Sequence, residues 1–324
     1  MSSVIRHVAE SIGPASRANA EAARVAVAGA GAPMLERLAA ALGAAQHHPR
    51  PSAGKRIIVV AAGDHGAGDP GIAMGADHPT IIAARAIAGG TAALSQLARA
   101  AHTPVILIDA GATETAHMPD TAVALGRGAT RDLTREPAMT VVDATLGLEA
   151  GIALAMSLLE PADGERTQLL AVGAIGVGAE VSSAALVGAI TGTVPPLDDD
   201  QAELAGRRGV AARDGTALEL LATFGGSETA VLAGLMLGAA SINVPIVLDS
   251  YATGAAALVA ARFAPNITGY LVAAHRGSFT MPAILESLGL QPIFDVGLGH
   301  GEGSGAAMIL PLVDQVAVLA APRV

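Results

Sequence analysis

The chain has 324 residues, of which 52% are hydrophobic and 15% charged, and its formal charge is −10. With no long basic run and no cysteine, the composition argues against binding nucleic acid by phosphate neutralisation, and it excludes disulfides, thiolate metal sites and thiol nucleophiles. The length suits one large α/β domain with an accessory piece, or two modest domains, and 39 glycines among many alanines point to helices packed at close range.

Residues 1–47 read as helical, with Ser16 capping a helix over 17–29 and a second helix over 33–42. The segment HHPRPSAGK (47–55) is a loop, and its His47-His48 pair reads as solvent-facing rather than metal-binding. RIIVVAA (56–62) is the first buried strand and ends in Gly63-Asp64-His65-Gly66. The glycine-rich loop that follows could cover a ligand. A helix over 80–102 is interrupted near Gly89-Gly90, and a second strand spans 105–109. A long polar connection (117–139) leads to a helix over 146–159, and a short strand over 169–172 enters the turn GAIGVG (173–178) and a helix. An acidic connector (194–204), helices over 216–223 and 227–241, strands over 245–249 and 270–274, and helices over 253–262 and 281–287 complete the alternation, with an apolar segment at 306–318. Strands alternating with helices predict an α/β fold, an open and mostly parallel sheet with helices on both faces. Such a sheet carries its site at the carboxyl edge.

The abundant apolar surface predicts a homodimer. The start MSSVIRHVAESIGP lacks a secretory pattern, which together with the absence of cysteine predicts a cytoplasmic protein. The apolar stretch 230–247 is broken by Asn243 and Pro245 and reads as a buried helix and strand, so no membrane partner is expected.

Charged residues gather at the strand ends. Glu302 sits among glycines in GHGEGSG (299–305), where the backbone can approach a ligand and the carboxylate could take a proton from a heterocyclic nitrogen. A first-turn acid of the last helix is the competing reading, at even weight. Asp64 and His65, Asp249, and His275-Arg276 end buried runs in the same way. Arg276 could grip an anion with two bonds or pair with Asp249. The turn 173–178 is no dinucleotide fingerprint, because its glycines fall at offsets zero, three and five. Gly176 and Gly178 before a helix still make a phosphate cradle conceivable, with Ser182 in the first turn, although Glu180 brings an opposing charge.

AAGDHG (61–66), FGGSETAVLAGLMLGAA (224–240), VPIVLDSYATGAAAL (244–258), YLVAAHRG (270–277) and LGLQPIFDVGLGHGEGSGAAMILPLV (288–313) together resemble the nicotinate-nucleotide:dimethylbenzimidazole phosphoribosyltransferase family. The resemblance implies a parallel-sheet α/β domain (55–305) and a small lobe built from 1–54 and the terminal helix 306–324. It also implies a homodimer and transfer of phosphoribose from nicotinate mononucleotide to a benzimidazole nitrogen, with no cofactor and no metal. In that family the glutamate of the final GEGxG motif is the proposed general base, which falls on Glu302.

Three regions depart from the family pattern. VAGAGAPMLERLA (27–39) keeps only Pro33 of a KPPGSLG-like segment. GIAMGADHPT (71–80) carries Ala73, Gly75 and Asp77, followed by His78, where GVSxYPQxVT has serine, an aromatic and glutamine. GAIGVGAEV (173–181) replaces GEMGIGNTT, so Ala174 stands for a carboxylate and Ala179-Glu180-Val181 for a phosphate-binding Asn-Thr-Thr. The expected function is therefore transfer of phosphoribose from nicotinate mononucleotide or a related nucleotide to an aromatic N-heterocycle, in an altered pocket. Two alternatives stand beside it: a non-catalytic small-molecule-binding paralogue or partner subunit, and a different reaction that reuses Asp64, His65, Asp77, His78 and Glu302, conceivably around a metal.

Overall fold

A computed structural model describes residues 1–68, 71–126, 128–162, 164–194, 196–298 and 301–322. Three helices come first: α1 (Ser3–Ser11), α2 (Arg17–Val27) and α3 (Pro33–Ala45). Ser2 and Ser16 cap the first two by accepting backbone N–H groups of Ile5 and Asn19. His47 and His48 follow and are exposed, with the His47 ring resting on Tyr270.

The chain then enters β1 (Arg56–Gly63), α4 (Pro79–Ala88), α5 (Ala93–Ala100) and β2 (Val105–Gly111), with the helix break at Gly89-Gly90 as expected. The long connection hides a two-residue edge strand, β3 (Val123–Ala124). Helix α6 (Val141–Leu159) begins earlier than its apolar pattern suggests, because Thr140 and Asp143 form a reciprocal capping box. Next come β4 (Leu169–Ile175), α7 (Ala179–Thr191) and α8 (Asp200–Ala211). The last of these arises in the acidic stretch read as a connector, with Asp199 as its cap. The remainder is α9 (Ala217–Phe224), α10 (Ser227–Ser241), β5 (Ile246–Leu248), α11 (Tyr251–Phe263), β6 (Leu271–Ala273), α12 (Met281–Leu288) and α13 (Ser304–Ala320).

The six strands form one sheet in the order β3-β2-β1-β4-β5-β6, and every pairing is parallel. Both faces are covered. Ile57, Val59 and Ala61 of β1 join the core under α6, α7, α10 and α11, whereas Ile58, Val60 and Ala62 join the core under α2, α3, α5 and α13. Strands buried on both faces must read as continuous apolar runs, which is why β1 and β4 were visible in the sequence. Helix α13 brings Ile309, Leu310, Val313 and Val316 into the same core as Ala23, Val27, Leu38 and Leu42 of the early helices.

The glycines permit backbone-to-backbone helix contact. A methyl group on Gly151 of α6 would lie 2.0 Å from the Val231 carbonyl of α10, and one on Gly234 would lie 2.0 Å from the Leu148 carbonyl. Two stretches, Pro79–Ala100 and Val141–Leu159, have the length and hydropathy of a membrane span. The first is two helices broken at Gly89-Gly90, and the second packs along α10.

The order reverses between β1 and β4. The chain winds outward through β2 and β3, returns beside β1 as β4, and continues through β5 and β6 on the other side. A crevice opens at the carboxyl ends of strands at such a switch point. The residues delivered there are Asp64 and His65 after β1, Gly176 to Gly178 after β4, and Asp249 after β5.

Candidate active site at the carboxyl edge of the sheet

A cavity of about 310 Å³ occupies this edge, walled by Thr80, Gly176, Val177, Ser250, Tyr251 and Glu302. Glu302 is half-buried, and no hydrogen bond or ion pair from the described residues engages its carboxylate. Its backbone, in contrast, is tightly held. Gly303 and Ala306 both donate their N–H groups to Asp249, at 3.0 Å each, and Ala174 N–H donates to Gly301 O at 3.1 Å. Gly173 lies directly beneath, where a methyl group would meet the Glu302 carbonyl at 2.4 Å. Gly303 takes a left-handed φ of +106°, which turns the chain into α13.

Asp249 is thus the clamp of the Glu302 turn and is fully buried. Burial pushes its carboxyl up to about 6, against the N–H groups of Ala306, Gly303 and Gly305, which favour the charged form. Its neighbour Thr253 donates back to Ser250 O and accepts from the N–H groups of Asp249 and Ser250, fixing the strand-to-helix corner.

Asp64 does the same service for the other half of the edge. It accepts from Val177 N–H at 2.9 Å, Thr113 N–H at 2.7 Å and the Thr80 hydroxyl, tying together the segments after β1, β2 and β4. Carboxylates at this depth are stable only when their oxygens are supplied with donors. Asp64 and Asp249 are both supplied from the backbone.

His65 turns beneath the crevice, with Nε2 at 3.2 Å from Glu228 of α10. Burial would discharge both groups, but mutual attraction and the shared hydrogen bond outweigh it. The histidine is held above its ordinary range and the glutamate below, so the pair is ionised. Gly226 makes room for it, because a methyl there would strike Glu228 Oε2 at 2.1 Å and His65 Cε1 at 2.4 Å. Glu228 lies in the GGSE turn but carried no sign of this partnership in the sequence.

The other candidates separate. Gly176 lines the cavity, and a methyl on it would strike the Gly63 carbonyl at 1.8 Å, so this glycine lets β1 and β4 end side by side. Gly178 adopts φ +79° as the residue before α7. Ser182 is buried and donates to Phe224 O at 2.7 Å. Glu180 is exposed at the rim, and its Oε1 accepts from the Tyr251 hydroxyl at 2.7 Å. Burial, then the nearby Glu180 charge, push the Tyr251 phenol up. The Tyr251 ring packs on Phe279 with centroids 5.3 Å apart and gives the cavity an aromatic wall.

His275 lies behind the cavity. Its Nδ1 accepts from Gly277 N–H, its ring stacks on Phe294 and burial holds its pKa low. Arg276 points outward toward Asp295 at 4.0 Å. Ala73 and Asp77 are exposed, Gly75 takes φ +70°, and His78 is buried. Asp77 therefore does not stand beside the buried His65 pair, and Glu302 lines a different cavity from Asp64, His65 and His78. Among the described residues no three His, Asp or Glu side chains converge as a ligand set. Gly299 and His300 of the final motif lie outside the described residues.

Comparison with known proteins gives a consistent answer. A phosphoribosyltransferase family model matches residues 11–322. The nicotinate-nucleotide–dimethylbenzimidazole phosphoribosyltransferase of Roseiflexus sp. (strain RS-1) is 35% identical over 303 residues, covering 86% of this chain and 82% of that protein. The enzyme of that name from Chromobacterium violaceum is 33% identical over 299 residues, covering 88% and 86%. The crystal structure of the Thermus thermophilus phosphoribosyltransferase of the same description superposes with a TM-score of 0.75 at 31% identity, covering 88% of each chain.

Proposed function

This chain belongs to the nicotinate-nucleotide–dimethylbenzimidazole phosphoribosyltransferase family, and from that premise we propose that it transfers phosphoribose from nicotinate mononucleotide, or a related nucleotide, to a ring nitrogen of an aromatic heterocycle. The observation that carries this reading is Glu302, a carboxylate without a protein partner among the described residues, at the wall of a cavity on the sheet's switch-point edge.

In the reaction the bond between ribose C1′ and the pyridinium nitrogen breaks, and its electron pair returns to the ring, which leaves as neutral-ring nicotinate. The lone pair of the acceptor nitrogen forms the new bond to C1′. As the acceptor gains positive character, its second nitrogen becomes acidic and Glu302 accepts that proton. The substrate acidifies as it reacts, and this is what lets a carboxylate take the proton. The fixed backbone of the Glu302 turn contributes by positioning.

Homodimerisation belongs to the same proposal. Val141, Val142 and Leu146 on the outer side of α6 are 48%, 65% and 44% exposed, next to exposed Val123 and Leu125 at the β3 edge. Such a patch suits a second copy of the chain. We read the protein as cytoplasmic, with helices from the two chain ends packed together as a small lobe against one face of the sheet.

The test is incubation with nicotinate mononucleotide and a panel of benzimidazoles and purines, with nicotinate release and product followed by chromatography. Stoichiometric nicotinate and a phosphoribosylated base are expected. Binding of nucleotide with no product from any base points instead to the non-catalytic alternative.

A further inference from the structure

A second cavity of about 220 Å³ adjoins the first and shares Val177 with it. Its apolar walls come from Ile72 and Met74 of the loop after β1, and its polar lining is Asp64, His65 and His78. Asp64 already accepts three hydrogen bonds, and His65 is tied to Glu228 with its Nδ1 sealed from solvent.

His78 differs from both. Its Nδ1 accepts the Thr80 N–H at 3.3 Å, which caps α4, and lies 3.9 Å from Asp64, too far for a hydrogen bond. A ring whose Nδ1 accepts must carry its hydrogen on Nε2. That second nitrogen has no partner among the described residues, although the side chain is buried at the wall of the small cavity.

We infer that His78 is a specificity residue for the acceptor, its Nε2–H selecting a nitrogen-rich heteroaromatic base that presents an in-plane acceptor atom on the edge remote from the reacting nitrogen. This rests on the transfer reading above. An all-carbon distal ring would cover the Nε2–H without giving it a partner, which is the costly arrangement for a polar group. An anionic edge is disfavoured as well, because the buried Asp64 carboxylate lines the same cavity. The class that fits is neutral, planar and purine-like. Ile72 and Met74 bracket it with apolar contacts.

Purine and benzimidazole make the cleanest pair of probes, since they differ only in two ring nitrogens replacing C–H groups. Wild-type protein should show kcat/KM for purine about tenfold above that for benzimidazole with nicotinate mononucleotide as donor, and calorimetry should show a similar ratio of Kd values. His78→Asn keeps a side chain suited to cap α4 while withdrawing the distal donor. It should bring both ratios near one, and His78→Gln should restore part of the preference. Equal or reversed ratios in the wild type, or a preference that survives His78→Asn, overturn the inference. If neither base is ribosylated, the transfer reading fails, and the calorimetric ratio and its response to His78→Asn still decide whether His78 selects the ligand.

Discussion

Two parts of the site are built on opposite plans. The turn carrying Glu302 is held from every side: Asp249 takes two of its N–H groups, Ala174 bonds its first carbonyl and Gly173 lies against it in van der Waals contact. The loop 71–78 facing it exposes Ala73, Met74 and Asp77, and its buried anchor is His78. The difference teaches where divergence can fall. On the proposed reaction Glu302 exchanges a proton and must keep its position to a fraction of an ångström, which fits a turn that retains the family motif. On the same proposal the loop meets only the variable end of the acceptor, where residues can change with the ligand.

The largest expected effect comes from breaking the rigid half. Gly173→Ala puts a methyl group 2.4 Å from the Glu302 carbonyl and must push the turn off the sheet. Turnover should fall by more than about a hundredfold, on the scale of a displaced catalytic group, while circular dichroism remains native-like. An active Gly173→Ala enzyme removes the claim that this contact sets the position of Glu302.

Asp249→Asn sharpens the comparison. An amide cannot accept from both Gly303 and Ala306 without turning an N–H toward a donor, so kcat should drop about tenfold to a hundredfold with a smaller change in KM. The pH dependence gives an independent check. Below about 6 the native Asp249 carboxyl is protonated, one oxygen that accepts an N–H gains a hydrogen and becomes a poorer acceptor, and activity should decline. Stability should move the other way. The native value lies above the ordinary 3.8, so the folded protein holds this proton between the two and the contribution of Asp249 to stability decreases as pH rises through that window. Activity that holds below pH 6, or an Asp249→Asn variant whose stability follows pH as the wild type's does, would contradict this assignment.

Glu228→Gln probes the support beneath the exposed half. It strands the buried His65 charge and should cost about 3 kcal/mol, read as a lower denaturation midpoint. The depressed Glu228 keeps its contribution above 4.5 and loses it on acidification, whereas the raised His65 keeps its contribution below 6.5 and loses it as pH rises through its folded value. The difference between variant and wild type should therefore be greatest between those limits. The smallest effect is expected from Tyr251→Phe, which frees Glu180 at the exposed rim. A change in KM of about twofold or threefold is expected, given how little exposed polar contacts contribute.

Much of this design was legible in the residues. Five of the six strands announced themselves because a parallel sheet covered on both faces needs unbroken apolar runs, whereas the exposed two-residue edge strand β3 has no such run, and Glu302 stood out because glycines surround it. What escaped was set by partners distant in sequence. Asp249 reads as one more strand-end acid until Gly303 and Ala306 are seen on its oxygens. Glu228 looks like an ordinary first-turn glutamate of α10, and only the crossing of β1 over that turn brings it to His65. Helix α8 was hidden by acidic residues that turned out to cap and open it. In the loop 71–80, neighbouring positions carry opposite fates, exposed Asp77 beside buried His78, and one residue of register is more than composition can resolve.

The most direct test is single-turnover chemistry in Glu302→Gln, with nicotinate mononucleotide and a ribosylated-base assay. The glutamine keeps the shape and removes the proton acceptor, so the rate should fall by about two to four orders of magnitude while nucleotide binding stays within a few-fold. A variant that ribosylates its base at the wild-type rate contradicts the role of that carboxylate.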